Sequence, residues 1–208
     1  MVNLRGKALT FSQGELYAWG RNDSCCCAAP PSIVFVPRPR LVDCLFVEPL
    51  NIARSKRAYQ SSTLNERDAD SAINGSTDGN GESQCACTQM DSQAWWELDL
   101  GDYAKIDRIH LWNRSDPPKD KNLADNYYSR RLFPCWVMIG NEPFSTLCTG
   151  HALRENIRRA LFKVKFTEEN RLSIWRCPSS CRGRYVRVQL EGYNFLSINE
   201  VQVFGTPT

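Results

Sequence analysis

Between Ala94 and Arg114 apolar and polar residues alternate with period two. Trp96, Leu98 and Leu100 fall on one face, and Trp95, Glu97 and Asp99 on the other. That spacing predicts a half-buried β-strand. Gly101-Asp102 predicts a turn, followed by a second strand from Ile106 to Trp112. In that strand Ile109 and Leu111 share one face, and Arg108, His110 and Trp112 the other. A strand ending in Asn113-Arg114 delivers an arginine to a loop at a sheet edge, where scaffolds of this kind carry their binding residues.

The same reasoning predicts strands over Cys135–Ile139, 161–166, Arg184–Leu190 and Asn199–Phe204, with Val186, Val188 and Leu190 pointing inward. Asn51 to Ser62 is an extended opening segment. Asn74-Gly-Ser-Thr-Asp-Gly-Asn-Gly81 is rich in turn formers, and Ser115 to Arg131 is a long polar insertion containing Pro117-Pro118 and Tyr127-Tyr128. Many short strands separated by turn signals predict an all-β fold, a β-sandwich.

Residues 1–50 differ. They carry one predicted strand between Gly14 and Gly20, three consecutive cysteines (Cys25, Cys26, Cys27) and a proline-rich loop from Pro30 to Pro39. Gly14-Glu-Leu-Tyr-Ala-Trp-Gly-Arg-Asn-Asp23 followed by Val36-Pro-Arg-Pro-Arg-Leu-Val42 resembles a single repeat of the regulator-of-chromosome-condensation β-propeller. One repeat cannot close a propeller, because each blade buries its faces against neighbours. The expected organisation is therefore an N-terminal extension, 1–50, and a β-sandwich, 51–208.

The chain has 208 residues, six tryptophans and a net charge of +3. The tryptophans suit a real core, and the charge is too small to imply nucleic acid. No apolar run is long enough to predict a membrane-spanning helix. The N-terminus shows no apolar signal segment, which predicts either an intracellular protein or a piece of a larger exported one. Ten cysteines are compatible with disulfides in an exported module or with buried thiols in an intracellular one.

The order of motifs adds a resemblance. Asn51-Ile-Ala-Arg, Gln60-Ser-Ser, Ala72-Ile-Asn-Gly-Ser-Thr-Asp-Gly-Asn, Cys85, Trp95-Trp96-Glu-Leu-Asp-Leu-Gly, Ile109-His-Leu-Trp-Asn-Arg, Gly183-Arg-Tyr-Val and Leu196-Ser-Ile-Asn-Glu-Val-Gln-Val-Phe-Gly together resemble an F-type lectin (fucolectin) domain over about residues 51–205. The resemblance implies a jelly-roll β-sandwich of the discoidin-like, galactose-binding kind. It also implies a shallow L-fucose site of one histidine and two arginines. Arg114 and Arg131 match the arginines, and Cys87 stands where the family has histidine. Pro117-Pro118 stands where the family has a vicinal cysteine pair. Sugar hydroxyl oxygens accept hydrogen bonds, and a guanidinium offers several donors in a fixed fork.

The resemblance further implies a structural calcium, with Asn74, Asp78, Asn80, the Asn199 carbonyl and Glu200 as candidate ligands; calcium takes six to eight oxygens in a flexible shell. It implies a disulfide between Cys148 and Cys177, with Cys181 as an extra neighbour. Cys85 is left without its family partner, a position held by Asn199, so Cys87 and Cys135 become alternatives for it.

Three weaker signals complete the sequence. Asn22-Asp-Ser, Asn74-Gly-Ser and Asn113-Arg-Ser are glycosylation acceptors if the chain is exported, although a glycan on Asn113 would crowd Arg114. Arg154, Arg158, Arg159, Lys163 and Lys165 form a basic run, most simply a solvated face. Neither His110 nor His151 has the nucleophile and acidic partner that hydrolysis needs. The expected function is a non-enzymatic, calcium-stabilised carbohydrate-binding module for L-fucose or a related sugar. The alternative is a protein-interaction or scaffolding module that has lost its sugar site.

Overall fold

The computed structural model describes residues 2–4, 7–12, 15–21, 35–41, 50–79, 85–144, 152–160, 162–166, 171–177 and 181–208. The chain divides into two compact units, Met1–Glu48 and Pro49–Thr208.

The first unit is a four-stranded antiparallel sheet in sequential order, β1 (Val2–Leu4), β2 (Lys7–Ser12), β3 (Glu15–Arg21) and β4 (Phe35–Leu41). The predicted strand at 14–20 is therefore one of four. The proline-rich segment, expected as a loop, becomes a strand from Phe35. Proline cannot donate to a ladder, and β4 lies at the sheet's edge, where no donor is needed on the outer side. The cysteine triplet and Asn22 lie outside the described residues.

The second unit contains β5 (Leu50–Asn51), β6 (Arg57–Gln60), β7 (Ala86–Cys87), β8 (Asp91–Ser92), β9 (Trp95–Trp112), β10 (Cys135–Gly140), α1 (Ala152–Arg159), β11 (Phe162–Phe166), β12 (Leu172–Arg176), β13 (Arg182–Leu190), β14 (Tyr193–Asn194), β15 (Ser197–Ile198) and β16 (Glu200–Pro207). It is a mostly-β sandwich of jelly-roll type. Strand β9 is its spine. The first half of β9 pairs with β6 and β13, and its second half with β12 and β16.

This corrects the expectation of two strands and a turn. Gly101 adopts φ +83°, and its N–H donates to Asp99 Oδ1 at 2.8 Å. The left-handed residue bends the strand without reversing it. Both halves find ladder partners, so the chain runs on for 18 residues.

Trp96, Leu98 and Leu100, and after a register shift opposite Phe204/Gly205 Ile109 and Leu111, enter the main core with Val186, Val188, Leu190, Val201 and Val203 as the period-two pattern requires; the shift lets Ile106 enter it as well. The opposite face of β9's first half was expected to meet solvent. Instead Trp95 and Glu97 are buried as well. The 141–144 turn and helix α1 cover this side: Met138, Phe144 and Leu153 form a second small core. Leu153 N donates to Gln93 Oε1, and Asn156 Nδ2 to Gln189 Oε1. Arg154, Arg158 and Arg159 of the basic run thus lie on a helix, while the predicted 161–166 strand is observed as β11.

Cys177 bonds Cys181, with Cα atoms 5.8 Å apart. The expected bridge from Cys177 to Cys148 is replaced by this local one; a separation of four residues brings the two within disulfide range, and Cys148 lies outside the described residues. Cys85, Cys87 and Cys135 are buried thiols, so Cys85 bridges neither alternative.

Candidate functional site

Several loops converge where β9 ends. Cys87 N donates to Arg67 O, Thr88 N donates to Leu196 O, and Leu196 N donates back to the Thr88 hydroxyl. Gly79 O accepts from the N–H groups of Ser115 and Asp116 at 3.0 and 3.3 Å. Asn113 is buried, with Nδ2 donating to Ser129 O at 2.9 Å, which ties β9's end to the turn closing the 115–131 insertion. The glycosylation acceptor Asn113 thus has its amide nitrogen bonded and buried in the folded domain.

Arg114 follows directly. Its side chain turns inward and the residue is only 2 % exposed. Nε and Nη2 donate to the two carboxylate oxygens of Asp116 at 2.5 and 2.7 Å. Its Cζ lies 3.7 Å from the centre of the Tyr128 ring. Nη1 is buried and has no hydrogen-bond acceptor among the described residues. Burial opposes the charge of this guanidinium, but the hydrogen bond and charge of Asp116 outweigh it and hold its pKa above the usual arginine range.

Arg131 is half-buried and sits among three rings, 4.3 Å from Phe195, 4.9 Å from Tyr128 and 5.2 Å from Tyr127. Tyr127 and Tyr128 meet edge to face at 5.4 Å. The two arginines picked from the sequence are therefore brought onto one ring, Tyr128. Cys87 is placed differently from a residue lining an open pocket. It is fully buried, its Sγ 3.2 Å from Ser197 Oγ. Cys85 is buried nearby; desolvation pushes its thiol up to about 11 against the charge of Arg114.

Sequence reading missed Asp116, the stacking role of Tyr128, and Phe195. Their signals were an acid two residues beyond Arg114 and an adjacent aromatic pair inside an otherwise polar insertion. Phe195 carried no signal, because nothing in the sequence joins the 193–197 turn to Arg131.

The candidate calcium ligands gather only in part. Glu200 is fully buried, and both its carboxylate oxygens accept from Gly75 N at 3.1 Å. Burial pushes its pKa up to about 7, against the lowering pull of that N–H and of Arg54. Asn199 Nδ2 donates to Ser76 O, and its Oδ1 is buried without a partner among the described residues. A desolvated carboxylate beside an orphaned amide oxygen is a donor set that suits a hard cation. Asn74 is exposed, and its Oδ1 accepts from Ser76 N. The Thr77 and Asp78 carbonyls accept from Arg171 Nη2 at 3.0 and 2.9 Å. Asn80 lies outside the described residues. Among the described residues, no group of three or more His, Cys, Asp or Glu side chains is arranged to hold a metal.

The second unit is thus a jelly roll whose loops bring Arg114 and Arg131 together at one end. Residues 71–188 match the family described as NedA-like, galactose-binding domain, and the chain belongs to that family. A pentraxin fusion protein of Xenopus laevis is 28% identical over 160 residues, 76% of this chain and 34% of that one. The chain thus spans about a third of the length of that curated relative. Among solved structures, the lectin domain of lectinolysin complexed with Lewis B antigen is 29% identical with a TM-score of 0.59, over 76% of this chain and 98% of that one. A Streptococcus pneumoniae fucose binding module is 25% identical with a TM-score of 0.59, over 75% and 95%. These neighbours support the F-type lectin resemblance of the second unit. Nothing in the comparisons supports the propeller-repeat resemblance of residues 1–50. No helix among the described residues is long and apolar enough to cross a membrane.

Proposed function

We propose that the second unit is a carbohydrate-binding module whose ligand is L-fucose or a closely related sugar. The observation that carries this reading is the meeting of Arg114 and Arg131 on one aromatic ring at the loop end of the sandwich. Two guanidiniums supply donors for sugar hydroxyls, and Tyr127, 38 % exposed, and Phe195 supply apolar faces for a pyranose ring. The fucose-binding and Lewis-B-binding neighbours lend weight to this ligand class. The domain acts by binding and not by catalysis. One shallow site binds weakly, so useful avidity requires several copies in one assembly.

Calcium belongs to the same reading. Glu200 and Asn199, with oxygens of the loop around Asn74 and Asp78, would hold it. It would supply positive charge to a buried carboxylate and so fix the loop whose Gly79 carbonyl positions Ser115 and Asp116.

Calorimetric titration of the full chain with a panel of monosaccharides, with and without calcium, tests both parts. Saturable L-fucose binding that Arg131→Ala abolishes is the expected result. At calcium concentrations about a hundred times its dissociation constant, the melting curve should gain about 2.7 kcal/mol, and Glu200→Gln should remove the gain.

The alternative is a protein-interaction module with a lost sugar site. The near-complete burial of Arg114 favours it. A calcium-stabilised domain that binds no sugar on the panel would establish it in place of the first.

A further inference from the structure

We propose that Tyr128 sets the affinity of this site as a built-in competitor for the sugar: its ring must leave Arg114 before a ligand can bind. The inference rests on the carbohydrate reading. Three observations carry it.

The first is coverage. Asp116 takes the Nε and Nη2 edge of Arg114, and the Tyr128 ring covers a face at 3.7 Å. Together they leave the residue buried, so no sugar hydroxyl reaches it in this arrangement. The second is position. The same ring lies 4.9 Å from the Arg131 guanidinium, so it occupies the space that a sugar bridging both arginines must take. The third is the Nη1 donor of Arg114, buried without an acceptor among the described residues. A tyrosine ring face gives a guanidinium electrostatic attraction but no lone-pair acceptor in the plane of its N–H groups. A hydroxyl oxygen would supply that acceptor. Exchanging ring for sugar therefore satisfies a donor that the closed form leaves unsatisfied.

The backbone permits the exchange. Downstream, Ser129–Leu132 forms a short 3-10 turn anchored by the Asn113 bond to Ser129 O and by buried Leu132. Upstream, residues 119–122, 124 and 125 are exposed. Tyr128 opens the Ser129–Leu132 turn, where its carbonyl accepts from Arg131 N at 3.2 Å and Asn126 O accepts from Arg130 N at 3.1 Å, so the exchange is a rotation of the Tyr128 side chain that leaves this backbone and β9 in place. Arg131 remains held by Phe195 on the other side.

The test is L-fucose titration of the full chain, Tyr128→Ala, Tyr128→Phe and the double variant Arg114→Ala/Tyr128→Ala. Melting curves confirm that each is folded, and Tyr128→Leu replaces the alanine variant if that one is not. Tyr128→Ala should bind roughly tenfold more tightly than the wild type, the weight of one cation–π contact. Tyr128→Phe, which keeps the ring, should match the wild type, and the double variant should lose the gain. Phenylglyoxal labelling read by mass spectrometry should find Arg114 protected in the wild type and modified in Tyr128→Ala. Equal or weaker fucose binding by the folded alanine variant overturns the competitor and leaves the carbohydrate reading standing. Absence of binding by wild type and variant alike overturns both.

Discussion

Two buried arginines in this domain are built alike and placed differently. Arg187 and Arg114 each bond a carboxylate, and each stacks on an aromatic ring. Arg187 Nε donates to Glu97 Oε2 at 2.9 Å, and its Cζ lies 4.1 Å from the Trp95 ring. Its partner stands directly opposite on the neighbouring strand, β13 against β9, and that carboxylate also accepts from Phe144 N at 3.2 Å. Glu97, Trp95 and Phe144 around Arg187 belong to the paired strand β9 or to the cap over it. Arg114 instead lies just past the end of β9, its acid two residues on and its ring on an insertion. The first arginine joins sheet to cap and has nowhere to move. The second is covered by a part that can leave. The same chemistry serves cohesion in the sheet and, in the function proposed above, recognition at the loop end.

The largest break in this comparison should come from Glu97→Ala. It takes the carboxylate partner from a fully buried guanidinium, which costs about 3–5 kcal/mol in urea-induced unfolding. A loss below about 1 kcal/mol would mean that Arg187 finds water, and the contrast with Arg114 would vanish. Asp116→Ala should cost less, about 1.5–3 kcal/mol, because Arg114 regains solvent once Tyr128 moves. Equal losses for the two variants would contradict the distinction. Asn113→Ala removes the tie between β9 and the insertion, and should cost about 1 kcal/mol while increasing hydrogen exchange of amides 126–132.

The smallest effect is in pH. Asp99 lies two residues from Glu97 on the same strand face, but on the solvent side of the cap. Its hydrogen bonds from Arg184, at 2.7 and 2.8 Å, outweigh its burial and hold its pKa below the usual aspartate value. A depressed folded pKa gives stability that is present above the unfolded aspartate value, about 3.9, and lost as pH falls through the folded one. Glu97 has the opposite sign: burial raises its pKa despite Arg187, so its charge costs stability that is regained as pH falls towards the folded value. Acid titration of stability should therefore flatten at its lowest-pH end in Asp99→Asn, and lose an opposing slope at higher pH in Glu97→Gln.

The sandwich was legible because its strands obey a two-residue period that burial enforces: Val186, Val188 and Leu190 point inward as read. The site was legible only as residue types. Arg114 and Arg131 could be picked out, yet their burial depends on an insertion whose path no local pattern encodes. Cys87 looked like a pocket residue and is instead sealed against Ser197. The bend at Gly101 reads as a turn from composition alone, because only the ladder partners, far away in sequence, decide whether the strand reverses or runs on. Glu97 looked solvent-facing because its cover, the 141–144 turn and α1, comes from about fifty residues further along.

The most direct test of the account is a crystal structure of the chain grown with L-fucose. The sugar should lie between Arg114 and Arg131 with a hydroxyl oxygen accepting from Arg114 Nη1, and the Tyr128 ring should be displaced from its stacked position. Fucose bound elsewhere, or bound with Tyr128 still lying on Arg114, would contradict it.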